Sequence, residues 1–311
     1  MEVVHLTYPL IDNSKTPIVL AIGYFDGVHK GHQQVIKRAC ALAKEMSLPC
    51  GVMTFSPHPK EVLGITSKID QLTPLNIKLA LLENLGVDVT YVVNFSKEFA
   101  AISPEEFVNE FLLSLQVKGV VVGFDFTFGV KGSANAEKLI ELSVERFFVE
   151  IIEPFNYRGD KISSTLIRSH LLSGNISEIK NLLGRNYSIL GQVIHGDKRG
   201  RTIGFPTANL KLLEDYLHLK NGVYIVKVQV EGKVYPGVMN LGYRPTVTNE
   251  KKPSYEVHLL TFNGDLYDKM LKVEFIDYIR EEKKFNSLDE LKQQINQDVA
   301  FAKKALMDMI L

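Results

Sequence analysis

A change of hydrophobic period near residue 186 divides this chain into two different kinds of fold. Upstream, the runs Ile18–Ile22, Gly51–Phe55, Val89–Val93 and Gly119–Gly123 are almost continuously apolar. That is the pattern of strands buried on both faces. Helix-like segments separate them. Thr73-Pro74 offers a cap followed by a proline suited to the first turn, and Gly86 stops that helix. Ser103-Pro104-Glu105-Glu106 reads as a capping box, after which Phe107, Phe111 and Leu115 recur at helical spacing. Strands alternating with helices predict an α/β unit with a doubly wound parallel sheet, in which ligands sit at the carboxyl ends of the strands.

Downstream the period becomes two. Val223–Val230 begins apolar on both faces and ends in alternation, and Tyr255–Leu259 and Leu271–Phe275 alternate, with turn signals at Glu231-Gly232-Lys233, Leu241-Gly242-Tyr243 and Asn263-Gly264-Asp265 between the strands. This predicts a small antiparallel β-barrel. A C-terminal helix starts at Ser287-Leu288-Asp289-Glu290 and carries the stripe Leu288, Leu291, Ile295, Val299, Ala302 and Leu306. It is expected to pack on the barrel. The boundary falls near Gly184-Arg185-Asn186, giving domains 1–184 and 185–311. The 311 residues are enough for two buried cores.

Lys and Arg together number 36, as do Asp and Glu, so the net charge is zero. That argues against a general nucleic-acid binder, which needs a cationic excess. Cys40 and Cys50 are too few for a disulfide framework or a four-ligand zinc site, and fit a reducing cytoplasm. The opening Met1-Glu2-Val3-Val4-His5 lacks the basic start of a secretory signal, and the apolar run Ile18–Phe25 stops at Asp26, far short of a membrane span. The expectation is a cytoplasmic protein with small-molecule partners and no nucleic-acid or membrane partner. The sequence sets no oligomeric state.

The sharpest local signal is Gly23-Tyr24-Phe25-Asp26-Gly27-Val28-His29-Lys30-Gly31-His32, placed between the first buried strand and a helix through Val35, Ile36 and Ala39. A helix start offers free N–H groups and the positive end of the dipole to phosphate. The segment lacks the Gly-Lys-Ser/Thr of a Walker A loop. His29 and His32 instead point to one side and can both donate to phosphate oxygens, which suits transfer at an α-phosphate. On spacing alone the pair also fits a metal site without a nearby third ligand, or a structural pair. Ser164, Thr165 and Arg168 in Ile162–Arg168 read equally as a phosphate grip or as a capped surface helix. Phe55–Pro59 and Gly123–Gly129 follow strands, where a phenylalanine could stack on a flat ring or belong to the core.

In the second half, Gly191–Asn209 holds four glycines, among them Gly196 and Gly204, with Lys198, Arg199 and Arg201 in the loop. Such a loop can wrap phosphates or simply turn a hairpin. Thr207 and Asn209, two apart at a strand start, can each give an oxygen to Mg²⁺ on a nucleotide. Glu256 lies on an alternating strand, opposite in facing to Tyr255 and Val257.

These residues carry two resemblances that cover nearly the whole chain. Gly-x-Phe-Asp-Gly-Val-His-x-Gly-His, Phe-x-Pro-His-Pro at 55–59, Phe-x-Phe-Gly at 126–129 and Ile-Ser-Ser-Thr-x-Ile-Arg at 162–168 resemble the nucleotidylyltransferase superfamily. They are closest to the FMN adenylyltransferase half of bacterial bifunctional riboflavin kinase/FAD synthetases. The resemblance implies that His29 and His32 stabilise the transferring phosphate, and that Gly23, Phe25, Gly31, Ser164, Thr165 and Arg168 hold ATP. It implies flavin contacts at His58, Pro59, Asp125 and Phe128. Ala134-Asn135 stands where that family often shows Gly-Asp, which puts one loop contact in question.

Gly-Phe-Pro-Thr-Ala-Asn at 204–209, Asn240–Thr246, the Glu256 strand, Gly264–Tyr267 and Arg280–Phe285 resemble the riboflavin kinase module. There Gly196, Gly204, Thr207 and Asn209 would bind ATP, and Thr207 and Asn209 would hold Mg²⁺. Arg280 would contact flavin, and Glu256 would take the proton of the ribityl 5′-hydroxyl. The implied activity converts riboflavin to FMN and FMN to FAD, with ATP as co-substrate of both steps.

Overall fold

The structure, a computed structural model, describes residues 1–10, 16–67, 69–196, 200, 203–245 and 251–307. Its contacts divide the chain into two units, Met1–Ser164 and Thr165–Leu311.

The first unit is built on a parallel sheet of β1 (Glu2–Leu6), β2 (Ile18–Ile22), β3 (Cys50–Ser56), β4 (Val89–Asn94), β5 (Val117–Gly123) and β6 (Phe148–Ile152). Their spatial order is β1-β4-β3-β2-β5-β6. All five residues of β2 are buried, as the unbroken apolar run requires. Each buried aliphatic side chain of this kind contributes roughly 2 kcal/mol. One core packs Leu20, Ile22, Met53 and Val120 against Phe99, Phe107 and Phe111. The other packs Val19, Ala21 and Val121 against Val35, Ile36 and Ala39 of helix α1 (Lys30–Glu45). The order reverses at β2, with β3 on one side and β5 on the other. A crevice at this switch point is where doubly wound sheets bind ligands, and β2 runs into the 23–32 segment there.

Several local expectations shift. β1 has no clear apolar period in the sequence, yet pairs along β4 from Glu2↔Val89 to Leu6↔Val93. Helix α2 spans Leu75–Asn84, so Pro74 takes the cap position without a side-chain bond. The Thr73 N–H instead donates to Asp26 Oδ1 at 3.1 Å. The Ser103–Glu106 capping box forms, but the helix after it widens into a π-turn over Phe107–Leu112. Asn135, the departure from the family pattern, caps the helix Ala136–Ser143. Cys40 and Cys50 are joined in a disulfide with Cα atoms 4.8 Å apart, where two separate thiols were expected. The 46–49 turn lays the start of β3 beside α1, which brings them together.

The second unit holds helix α3 (Ser164–Ser173, straddling the division) and a short helix Ile179–Leu183. A closed barrel follows, of β7 (Tyr187–Ile194), β8 (Ala208–Leu212), β9 (Gly222–Val230), β10 (Lys233–Pro245), β11 (Lys251–Leu259) and β12 (Met270–Arg280). Its strand order is β7-β8-β11-β10-β9-β12. Helix α4 (Leu288–Met307) lies on its wall, where Ala302 and Leu306 pack on Val223, Ile225, Val238 and Ile276. Of the expected stripe, Val299, Ala302 and Leu306 join this cluster, while Leu288 is 65% exposed.

Candidate functional site

The 23–32 segment turns sharply between β2 and α1. Phe25 and Val28 take left-handed backbone, with φ of 54° and 41°. Each such residue costs on the order of 1–3 kcal/mol unless its surroundings hold it there. They do: Asp26 is 5% exposed. Its carboxylate accepts the N–H groups of Leu72 at 3.4 Å and Thr73 at 3.1 Å. Its carbonyl accepts the Ser164 hydroxyl at 2.8 Å. Ser164 therefore begins α3 rather than capping it, and its hydroxyl ties the 162–168 motif to the loop. Thr165 and Arg168 continue the helix, Thr165 exposed and Arg168 half-buried.

His29 caps α1. Its Nδ1 accepts the His32 N–H at 3.2 Å. That nitrogen is therefore an acceptor, and the proton of the ring sits on Nε2. The His29 and His32 rings stack, with centroids 3.5 Å apart and planes 19° apart. A Cβ on Gly31 would lie 3.2 Å from the His29 ring, so this glycine lets the stack form. Burial of the ring holds His32 well below the usual imidazole range, and the positive charges of His29, Lys78 and Lys161 add to the effect. Its Nδ1 is buried with no hydrogen-bond partner among the described residues. A stacked imidazole pair at a helix N-terminus, with the buried His32 Nδ1 unsatisfied among the described residues, is suited to an incoming phosphate.

Around this centre, the His58 and Tyr24 rings lie 4.2 Å apart with their planes tilted by 59°, and His58 caps the short helix Pro59–Val62 through its Nδ1. Asp125 is exposed and paired with Lys161 at 2.7 Å. Phe128 is 6% exposed, with its ring against Phe107 and Phe126 in the core. Phe124, 37% exposed beneath the Lys161 ammonium, is the ring offered at the surface.

In the barrel, strand register builds a polar row. Asn209 pairs with Glu256, Glu256 with Asn240, Asn240 with Val223, and Val223 with Arg280. Residues paired across antiparallel strands share a face, so Asn209, Glu256 and Asn240 lie on the wall that also carries α4. Glu256 accepts the Ser254 hydroxyl at 3.2 Å, and Asn240 Nδ2 donates to Glu282 at 3.3 Å. A Cβ on Gly196 would collide with the Asn209 amide, so the loop backbone closes directly over that side chain. Thr207 sits just ahead of β8. It lines a cavity of about 270 Å³ shared with Val193, Leu259, Phe262 and Tyr267. Asn209 and Glu256 are not among its lining residues. Gly204 is left-handed, with φ of 88°. Lys198, Arg199, Arg201 and Thr246 lie outside the described residues.

The Arg280 guanidinium makes bonds of 2.7–3.1 Å to the Asp298 carboxylate on α4, and Asp298 is 3% exposed. The pairing anchors the helix. Sequence reasoning missed Asp26, Lys78, Asn240 and Glu282 as members of the two sites. Asp26, Asn240 and Glu282 stood inside quoted motifs without an assigned role, and Lys78 stood in none. Their roles come from contacts between distant segments, which leave no local pattern.

Fold and site together define a two-part transferase, with a nucleotidyl-transfer centre on a parallel sheet and a phosphoryl-transfer centre on a small barrel. The FAD synthetase family matches residues 11–166, and the riboflavin kinase family matches residues 183–306. A bifunctional riboflavin kinase/FMN adenylyltransferase of Bacillus subtilis (strain 168) is 44% identical over 96% of both chains. One from Escherichia coli (strain K12) is 40% identical over 92% of both. A solved structure described as a macrolide-efflux protein from Streptococcus pneumoniae superposes with a TM-score of 0.90 at 33% identity, covering 97% of this chain and 99% of that one. The present chain belongs to the bifunctional riboflavin kinase/FMN adenylyltransferase family. No helix among its described residues is long and apolar enough to cross a membrane.

Proposed function

We infer that this chain makes both flavin cofactors in sequence. It phosphorylates riboflavin with ATP to give FMN and ADP, then joins FMN to the AMP part of a second ATP, releasing pyrophosphate and giving FAD. Its partners are riboflavin, FMN, FAD and ATP, and the setting that suits two ATP-consuming steps is the cytoplasm.

The observation that carries the first-unit reading is the stacked His29–His32 pair at the start of α1, with the His32 Nδ1 buried and unsatisfied among the described residues. An FMN phosphate oxygen attacks the α-phosphorus, and the bond to pyrophosphate breaks. The imidazole N–H groups and the helix N-terminus stabilise charge that grows on the α-phosphate oxygens. Gly23, Phe25 and Gly31 shape the loop, and Ser164, Thr165 and Arg168 hold the outgoing phosphates. His58, Pro59, Asp125 and Phe128 are the proposed flavin contacts of this unit, and Arg280 is that of the barrel.

In the barrel, Glu256 takes the proton of the ribityl 5′-hydroxyl as that oxygen attacks the γ-phosphorus and ADP leaves. Phosphoryl transfer depends mostly on positioning and charge stabilisation. Thr207 and Asn209 offer a hydroxyl and an amide oxygen, hard donors of the kind Mg²⁺ takes. They would hold the ion that accompanies ATP and neutralises its phosphates. Gly196 and Gly204 belong to the loop that covers the nucleotide.

The test is to incubate the chain with riboflavin and MgATP and follow the flavins by chromatography. The wild type should accumulate FMN and then FAD. His29→Ala with His32→Ala should stop at FMN, and Glu256→Gln should make FAD only when FMN is supplied. FAD output unchanged by the double substitution, or kinase turnover retained by Glu256→Gln, removes the corresponding assignment.

A further inference from the structure

The catalytic reading leaves one buried cation unused. Lys78 on α2 is 1% exposed. Its ammonium donates to the Tyr24 carbonyl at 2.7 Å and lies 3.4 Å from the Thr54 hydroxyl. The same hydroxyl donates to the Tyr24 carbonyl at 3.0 Å, and the ammonium sits 4.2 Å from the centre of the Tyr24 ring. Burial lowers the Lys78 pKa to about 8 although Asp26 draws it upward, so most molecules carry the charge at pH 7. A buried ammonium is costly to keep, and a methionine would fill the same space.

Its placement gives it a task. Phe25 holds left-handed backbone between two fixed neighbours. On one side Asp26 is tied to Leu72 and Thr73 just ahead of α2. On the other, Tyr24 is tied to Lys78 within α2. One helix therefore grips the loop on both sides of its strained residue.

We propose that Lys78 is a positioning residue for adenylyl transfer, its ammonium pinning Tyr24 so that the left-handed turn at Phe25 delivers the His29–His32 pair to the phosphate. This rests on the adenylyltransferase reading above. Lys78 touches no reacting atom and acts through the loop. Loosening the loop removes stabilisation made chiefly in the transition state, so kcat falls while KM for FMN and ATP changes little.

The experiment measures FMN adenylylation by the full chain as wild type, Lys78→Met, His29→Ala and the double variant. Lys78→Met should lose at least about tenfold in kcat with both KM values within about threefold. Added to His29→Ala, it should slow the reaction by no more than about twofold further, because the two residues act as one unit. Thr54→Val, which removes one of the two oxygens around the ammonium, should lose about threefold in kcat with the same non-additivity, and carries the test if Lys78→Met does not fold. Wild-type kcat in both variants, or losses that multiply with His29→Ala, overturns the role of Lys78 and leaves the functional reading standing. A wild type that makes no FAD from FMN and MgATP overturns both.

Discussion

His32 shows what a single side chain contributes at the cost of stability. Its pKa in the folded chain lies well below its unfolded value, chiefly through burial. Above about pH 6.5 the ring is neutral in both states and burying it carries no proton penalty. As pH falls below that, the unfolded chain binds a proton that the folded chain resists, so stability is lost with acid. His32→Gln, which cannot titrate, should therefore show a shallower fall in Tm between pH 7 and pH 5 than the wild type. Equal slopes would mean that the ring is not held neutral. The histidine pair was legible in the sequence because its spacing and its place after a buried strand are local facts. Lys78 was not, and Asp26 stood in the motif without a role, because their partners lie 46 to 54 positions away.

At the scale of elements, the apolar runs of β2, β3 and β5 could be read directly, since a strand buried on both faces needs no particular register. β1 could not, because an edge strand shows a weaker pattern. The row Asn209–Glu256–Asn240 depends on which strands pair and in what register, and neither is written in any single strand. The same limit applies to Arg280. In the sequence it is one cation near a family motif; in the fold it is the partner of Asp298 on α4, with side chains 15% and 4% exposed. Removing one member of such a buried pair strands the other charge, at roughly 3–5 kcal/mol. Asp298→Ala should therefore lower the barrel's denaturant midpoint by a matching amount and free α4 to proteolysis. Arg280→Met with Asp298→Leu should recover much of the loss. A single variant as stable as the wild type would show that the pair contributes little to holding the helix.

For the whole molecule, the change of hydrophobic period locates where one catalytic pattern ends and the other begins. It does not tell which core the intervening helices join. We propose a functional boundary after Gly184, which is left-handed and stops the Ile179–Leu183 helix just ahead of β7. The contacts, however, assign everything from Thr165 onward to the barrel unit. The Lys220 N–H donates to the Leu171 carbonyl at 3.3 Å, and a Cβ on Gly174 would lie 3.1 Å from Lys220 and 3.4 Å from Tyr278. Leu171, Ile179, Leu182 and Leu183 are all 1% exposed or less. Each buried aliphatic side chain is worth roughly 2 kcal/mol, and a small domain moves by about 4–8 °C in Tm per kcal/mol. A fragment of residues 165–311 should accordingly melt at least about 10 °C above a fragment of residues 185–311, while both retain riboflavin kinase turnover at low temperature. Matching Tm values would place the folding boundary after Gly184 as well. Loss of kinase turnover only in the shorter fragment would make α3 part of the kinase rather than a support for it.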